Sequence, residues 1–362
     1  MAIETPPELV AAIEAEIQGI PAPLSKQVRA LSELFHLFTA ERSNLGRTSY
    51  LDAPKLRSAY LRYHLPLNVA RATRVLGEVL RVHPAARDFT RIFDLGAGPG
   101  TASLATLFSL PRDPARVFVL EDRSRAALAS ARRILERSSA AGGVTSLTTR
   151  VRTLPGLPAM EGEALVWLSM VLNELQVGAP RGLDPRAFIE RLARHVSPGC
   201  VVIAMEPALR VPGRNLLSLH DAALAAGGWR VLAPCTHQAS CPLLVERDRS
   251  WCHVRFEWRA PRFVREVADP LGLEHREPSV AYLALERVHT SAGPKTAAST
   301  RARVIGDVME VHGGKRGIYI CREGRRELIV PPPPGGRRGD VVVGGSGGVL
   351  RVETGWGQPP TG

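Results

Sequence analysis

The sequence predicts an α/β protein: a Rossmann-like, largely parallel sheet with a helical region before it and a small β-barrel-like tail after it. Three observations predict this. From Arg91 onward, short β-type runs alternate with helical segments, as parallel strands joined by crossover helices do. The first run ends in a glycine-rich loop. Ahead of it apolar residues recur at helical spacing, and beyond residue 300 they fall in short runs separated by Gly and Pro.

Taken in order, residues from about 8 to 85 read as helices in LVAAIEAEI, VRALSELFHLF and LRSAYLRYHLPLNVARATRVLGEVL, punctuated by Pro54 and Pro66. The strand-like runs are RIFDLG, RVFVLED, SLTTRVRTL, ALVWLSMVLNE and CVVIAMEP; ATLFSL, SRAALASARRILERSS and PRAFIERLARHV lie between them as helices. After Pro207 the alternation breaks, and a segment rich in Cys, Pro, His and Trp reads as an insertion. REVADPLG and SVAYLALERV are expected to complete the sheet as an antiparallel hairpin. The polar stretch 290–300 reads as a linker. RVIGDVMEV, GIYICRE, RELIV and DVVVGG read as strands of the tail, PPPPGGRRG as a loop, and the last ten residues as a frayed end. The expected organisation is a helical region over 1–88, the α/β domain over 89–289 with its insertion at 208–258, the linker, and the β-rich unit over 301–362.

Composition narrows the function. With 44% hydrophobic and 23% charged residues the chain reads as a soluble globular protein. No apolar run approaches the roughly 20 residues that span a bilayer, so no membrane role is expected. The N-terminus, MAIETPPELVAAIEAEI, lacks the basic and apolar blocks of an export signal and the Arg/Ser-rich character of an import signal. Five cysteines in such a chain read as thiols or metal ligands in a reducing compartment, with the bacterial cytoplasm expected. A net charge of +12 favours a polyanionic partner, with nucleic acid the natural candidate. All but four of the 47 basic residues are Arg, which genome-wide compositional bias also produces.

The sharpest motif is Phe93-Asp94-Leu95-Gly96-Ala97-Gly98-Pro99-Gly100-Thr101 at the end of the first strand of the sheet. Gly96, Gly98 and Gly100 permit a tight turn and close approach to a ligand, and the next helix offers free amides. The glycines run G-x-G-x-G, unlike the dinucleotide fingerprint, with Asp94 two residues ahead, where a carboxylate suits an ammonium group and would repel a pyrophosphate. That pattern points to S-adenosylmethionine. About 20 residues on, Glu121 and Asp122 end the second strand where an acid takes ribose hydroxyls, Asp122 being the first choice. The plainer alternative is a Gly-rich turn with a helix cap. At the fourth strand's end, Asn173 and Glu174 are candidates for contacting substrate or, equally, for capping the next helix. The Pro-Pro-aromatic tetrad of amino-methylating enzymes is missing there.

Cys235 and Cys241 are separated by five residues, Cys252 follows after ten more, and Cys321 lies in the tail. Four thiolates hold either a tetrahedral zinc or a [4Fe–4S] cluster. Paired zinc knuckles use shorter gaps, so the irregular spacing suits the cubane better, with zinc and unligated buried thiols as alternatives. His237 and His253 are candidate alternative ligands. Cys200, at the head of an apolar strand, reads as a small buried hydrophobe.

The chain resembles the methyltransferase-like small-subunit ribosomal assembly proteins of bacteria and mitochondria. The resemblance runs from about residue 50 to 330 and rests on six pieces of sequence. These are Tyr60-Leu61-Arg62-Tyr63-His64-Leu65-Pro66, the loop Asp94 to Gly100, Val171-Leu172-Asn173-Glu174-Leu175, the Pro-Cys and Cys-Pro-Leu pieces at 234–243, Trp251-Cys252-His253, and Lys315 to Cys321. It implies a class I methyltransferase fold, a [4Fe–4S] cluster on Cys235, Cys241, Cys252 and Cys321, and an S-adenosylmethionine pocket at the glycine loop. It also implies binding to small-subunit rRNA and ribosomal proteins during maturation or initiation. Two functions follow from it, a docking factor and an rRNA methyltransferase. Radical chemistry is disfavoured because the C-x3-C-x2-C pattern is absent. An aromatic content of 5% argues for contacts through phosphates and shape rather than base stacking, and off the ribosome the protein is expected to be a monomer.

Overall fold

The computed structural model describes residues 2–40, 49–138, 142–154, 156–177, 184–245, 250–289, 300–344 and 350–353. A two-residue strand, β1 (Ile3–Glu4), precedes four helices: α1 (Pro7–Gln18), α2 (Leu24–Thr39), α3 (Pro54–Arg62) and α4 (His64–Val82). Pro54 opens α3 and Pro66 lies in the first turn of α4, positions where a missing backbone N–H costs no helical bond. Leu65, Ala72, Val75, Leu76, Val79 and Leu80 give α4 a buried stripe at helical spacing.

The chain then alternates through β2 (Arg91–Leu95), α5 (Thr101–Ser109), β3 (Arg116–Asp122), α6 (Arg125–Ser138), β4 (Val144–Val151), β5 (Ala164–Ser169), α7 (Leu172–Val177), α8 (Pro185–His195), β6 (Val201–Pro207), α9 (Arg210–Ala226) and β7 (Trp229–Ala233). After β7 come α10 (Pro242–Val245), β8 (Val254–Arg255), β9 (Trp258–Arg259), which pairs with β1, α11 (Arg262–Ala268) and β10 (Ser279–Arg287). The main sheet has the order β4-β3-β2-β5-β6-β10-β7, with β8 paired to β10. Its first five strands are parallel, and β10 runs antiparallel between β6 and β7. This is the Rossmann-like, largely parallel sheet the alternation predicts. Successive residues of β5 and β6 feed two apolar cores: Leu165, Trp167, Val201 and Ile203 on the face of the N-terminal helices, Val166, Leu168, Val202 and Ala204 on the face of α8 and α9. Strands covered on both faces read as unbroken apolar runs, which is why they were legible.

The closing hairpin is built from other residues than expected. Ser279–Arg287 is its second strand, but REVADPLG is not its first: Phe263, Val264, Val267 and Ala268 bury at helical spacing, making α11. The partner of β10 is β7, far upstream. The run after Pro207 likewise begins with the 17-residue helix α9 and the edge strand β7, so the segment that interrupts the sheet starts at Pro234 rather than 208.

The tail comprises β11 (Arg301–Val304), β12 (Met309–Val311), β13 (Lys315–Arg322), β14 (Arg325–Ile329), β15 (Val341–Val343) and β16 (Arg351–Val352). They form an antiparallel sheet of order β12-β13-β11-β15-β16, with β14 also on β13, around Val304, Ile318, Ile320 and Val342. The expected barrel-like unit is thus an antiparallel sheet. The expected linker, over 290–299, and the end expected to fray, over 354–362, lie outside the described residues. Among the described residues no helix is long and apolar enough to cross a membrane.

Candidate functional site

The parallel strands β2, β3, β5 and β6 end along one edge, where Leu95 pairs with both Glu121 and Leu168, and Ser169 pairs with Met205. There the chain turns through Gly96, Gly98 and Gly100, all at positive φ, into α5. Gly96 must be glycine for a second reason: a Cβ would stand 2.6 Å from the Val171 Cγ2 atom, so the loop after β2 rests directly on the loop after β5. The Gly96 and Ala97 amides donate to the Glu121 carbonyl, and the Gly98 amide donates to Asp122 Oδ2 at 2.8 Å.

Above this loop lies a cavity of about 420 Å³. Gly96, Gly98, Asp122, Asn173 and Glu174 form one wall, and Phe35, Phe38, Tyr50, Tyr60, Tyr63 and His64 from the N-terminal helical region form the other. Asp122 accepts from the Gly98 and Ser124 amides, and burial raises its pKa. Glu121, one residue earlier on the strand, points the opposite way, toward Arg152 at 3.2 Å and Arg150 at 3.7 Å, and does not line the cavity. The period of a strand thus separates the two acids. Asp94 is fully buried beneath the loop, outside the cavity wall. Its Oδ2 accepts from the amide and hydroxyl of Ser103, fastening β2 to α5, and burial pushes it up to about 6. Gly100 stands at the N-terminus of α5 against Ala131, also outside the cavity.

Glu174 Oε1 accepts from the Tyr50 hydroxyl at 3.2 Å, and Oε2 pairs with Arg123 at 3.2 Å; burial pushes this carboxyl up to about 7 despite that cation. The Asn173 amide donates to the Met170 carbonyl and to Glu206 Oε2. Glu206 also accepts from the Leu172 amide at 2.8 Å, and burial pushes it up to about 8. Glu206, which buttresses the loop after β5, was missed in the sequence; its signal was a single acid at the end of the apolar run CVVIAMEP. Met170, between the strand and α7, holds a φ of 60°, a strained conformation for a non-glycine residue, at a turn that lines the cavity.

The four remote cysteines form a second locus. Cys235 follows β7, Cys241 precedes α10, Cys252 precedes β8, and Cys321 lies on β13. Cys241, Cys252 and Cys321 share one apolar cluster with Leu217, Leu243 and Ile305. Cys235 lies within electrostatic reach of all three. Burial, and then the other thiols' charge, raises the pKa of Cys235, and Cys241 and Cys321 are pushed up to about 12. Such thiols ionise together only around a cation, the donor chemistry of a metal or cluster site. No group of three or more His, Cys, Asp or Glu among the described residues is arranged to hold one metal ion.

The Ala239 amide donates to His237 Nδ1, so Nε2 carries the proton and faces Cys321 Sγ at 3.2 Å. His253 stacks on Trp251 instead. The tail is held tightly to this locus: a Cβ on Gly324, in the turn between β13 and β14, would meet Ala239 at 2.7 Å. Cys200 is fully buried near the Gly162 carbonyl in the core on the face of α8 and α9, and all five cysteines are free thiols.

Solved structures that resemble the chain include a ribosomal protein L11 methylase from Lactobacillus delbrueckii (14% identity, 60% of this chain and 78% of that one, TM-score 0.33). Another is a magnesium protoporphyrin IX methyltransferase from Synechocystis with bound SAH (11% identity, 66% and 96%, TM-score 0.39). Neither likeness is strong enough to say what this chain binds. No curated protein matches the sequence. The profile of the family described as mitochondrial small ribosomal subunit Rsm22 matches residues 55–329, well over half of the chain, and the protein belongs to that family.

Proposed function

We propose that the protein is an assembly or translation factor that binds small-subunit rRNA and ribosomal proteins, built on a methyltransferase fold and carrying a [4Fe–4S] cluster on Cys235, Cys241, Cys252 and Cys321. The observation that carries this reading is the gathering of three thiols from one segment with a fourth from the tail sheet, in a chain of a small-subunit family. The irregular gaps between the cysteines in the sequence, wider than those of paired zinc knuckles, favour the cluster over zinc. When bound, the cluster supplies a cationic core that offsets four thiolates. The chain's own residues do the rest. His237 directs its N–H at the Cys321 sulfur, and Arg303 donates to the carbonyl of Pro234, next to Cys235. The net charge of +12 and the exposed Lys315, Arg316 and Arg325 of the tail supply phosphate contacts. The expected setting is the bacterial cytoplasm, with the free protein a monomer.

Co-sedimentation with small ribosomal subunits tests this. Cys241→Ser is expected to abolish association and Asp122→Ala to leave it intact; the reverse pattern contradicts the reading.

A second reading, an S-adenosylmethionine-dependent rRNA methyltransferase, is favoured by the cavity itself. Gly96, Gly98 and Asp122 line it where the amino-acid tail and ribose of the cofactor belong, while Asp94, Glu121 and Gly100 hold the loop in shape from behind. With the Asn173 amide engaged by Met170 and Glu206, Glu174 is the group left to take a proton near neutral pH. Transfer of labelled methyl to small-subunit rRNA, lost in Asp122→Ala, supports this reading; no transfer by loaded wild-type protein excludes it.

A further inference from the structure

Among the described residues, a guanidinium of the cavity wall stands without a carboxylate partner. Arg71, on α4, lines the cavity beside Asn68, Tyr60, Tyr63 and His64. Its Nη1 donates to the neutral Asn68 Oδ1 at 2.8 Å, and its Nε is buried without a hydrogen-bond partner. Among the described residues no carboxylate lies within ion-pair distance of it, although the nearby guanidinium groups of Arg74 and Arg123 are paired with Glu78 and Glu174. Arg71 is half-buried, and a guanidinium that has lost part of its hydration with no anion beside it is unfavourably placed. Burial accordingly pushes Arg71 down to about 10, and burial with Arg71 pushes the neighbouring His64 down to about 3. The site is thus arranged for an anion that none of the described residues provides.

The kind of anion follows from the rest of the wall. Asp122 lines the same cavity, and its negative charge would repel a polyphosphate. An acid together with an unpaired guanidinium suits a ligand that carries both an ammonium and a carboxylate, such as an amino acid joined to a nucleoside. We propose that Arg71 is a binding residue that holds the carboxylate of the ligand's amino-acid tail, and so makes the cavity select S-adenosyl amino acids over plain nucleosides. The inference rests on the reading that this cavity takes S-adenosylmethionine.

Calorimetric titration of the full-length protein, isolated anaerobically, tests it with three probes: S-adenosylhomocysteine, its decarboxylated analogue and methylthioadenosine. Arg71→Met is expected to weaken S-adenosylhomocysteine by about 10- to 100-fold, the weight of one charge-assisted contact, and Arg71→Lys by less. The decarboxylated analogue and methylthioadenosine should bind wild type and Arg71→Met alike, which also shows that the variant's cavity is intact. Equal affinity of wild type and Arg71→Met for S-adenosylhomocysteine overturns the inference alone. So does an equal loss for the decarboxylated analogue, because the residue would then act only on the shape of the cavity. Failure of wild type to bind any of the three overturns the cofactor reading, and the inference with it.

Discussion

Replacing Arg303 with methionine keeps the length of the side chain and removes every donor from a junction of four segments. Arg303 is 3% exposed. It lies opposite Cys321 across the β11–β13 ladder, and its Nε donates to the Pro234 carbonyl at 2.7 Å. Nη1 donates to the Gly339 carbonyl at 2.6 Å, and Nη2 pairs with Glu78 of α4. Removing one member of a buried ion pair costs about 3–5 kcal/mol, because the remaining charge stays buried. Arg74, 3.3 Å from Glu78, retains part of that compensation, which favours the lower end. Two carbonyls losing donors add about 1 kcal/mol each, giving about 5 kcal/mol in all. The control is Arg301→Met on the same strand. Its exposed pair with Glu353 is worth about 0–1 kcal/mol. Denaturant unfolding followed through tail and core fluorescence is expected to show the Arg303→Met tail released well before the core, and Arg301→Met nearly unchanged. Equal midpoints for Arg303→Met and wild type would refute the claim that this residue fastens the tail to the sheet.

Two glycines give opposite expectations. Gly77 has open space around it inside α4, so Gly77→Ala should raise stability by about 0.5–1 kcal/mol in thermal unfolding; Gly213→Ala would place a Cβ 2.4 Å from the Trp251 ring and should lower it by about 1–3 kcal/mol while displacing the segment that bears Cys252. The pH dependence has two opposing parts. His64 stays neutral in the folded chain down to about 3 but protonates near 6.5 once unfolded, so it weakens the fold as pH falls from 6.5 toward 3, and His64→Phe should flatten that acid limb. Glu174 keeps its proton up to about 7 when folded but loses it above about 4.5 when unfolded, so its contribution is lost as pH rises between those values; Glu174→Gln should remove that slope from unfolding free energies measured across the window.

The parallel strands and the glycine loop were legible because each writes its physics locally: continuous apolar runs for strands covered on both faces, and glycines where the backbone turns at positive φ. The first half of the expected insertion was not, because α9 has Pro212 and Gly213 in its first turn and carries His220 and Asp221 among its apolar residues. Gly213 is there for Trp251 rather than for the helix. The hairpin was misassigned because VREVA satisfies strand and helix spacing over so short a run, and only the burial of Phe263, Val264, Val267 and Ala268 on one face decides it. Of the candidate acids, Asp122 ranked ahead of Glu121 in sequence, and strand parity supplies the physical reason by sending one to the cavity and the other to Arg152. Arg71, Glu206 and Arg303 were unreadable for a common reason. Their significance is burial beside partners, or beside a lack of them, that the fold brings from afar; Arg303 and Glu78 are 225 residues apart.

Iron, acid-labile sulfide and zinc content of the anaerobically isolated protein bears most directly on the thiol locus that joins tail to sheet. Wild type is predicted to hold about four iron and four sulfide per chain with negligible zinc, and Cys321→Ser to lose them. One zinc per chain without sulfide, or an iron content indifferent to Cys321→Ser, would contradict it.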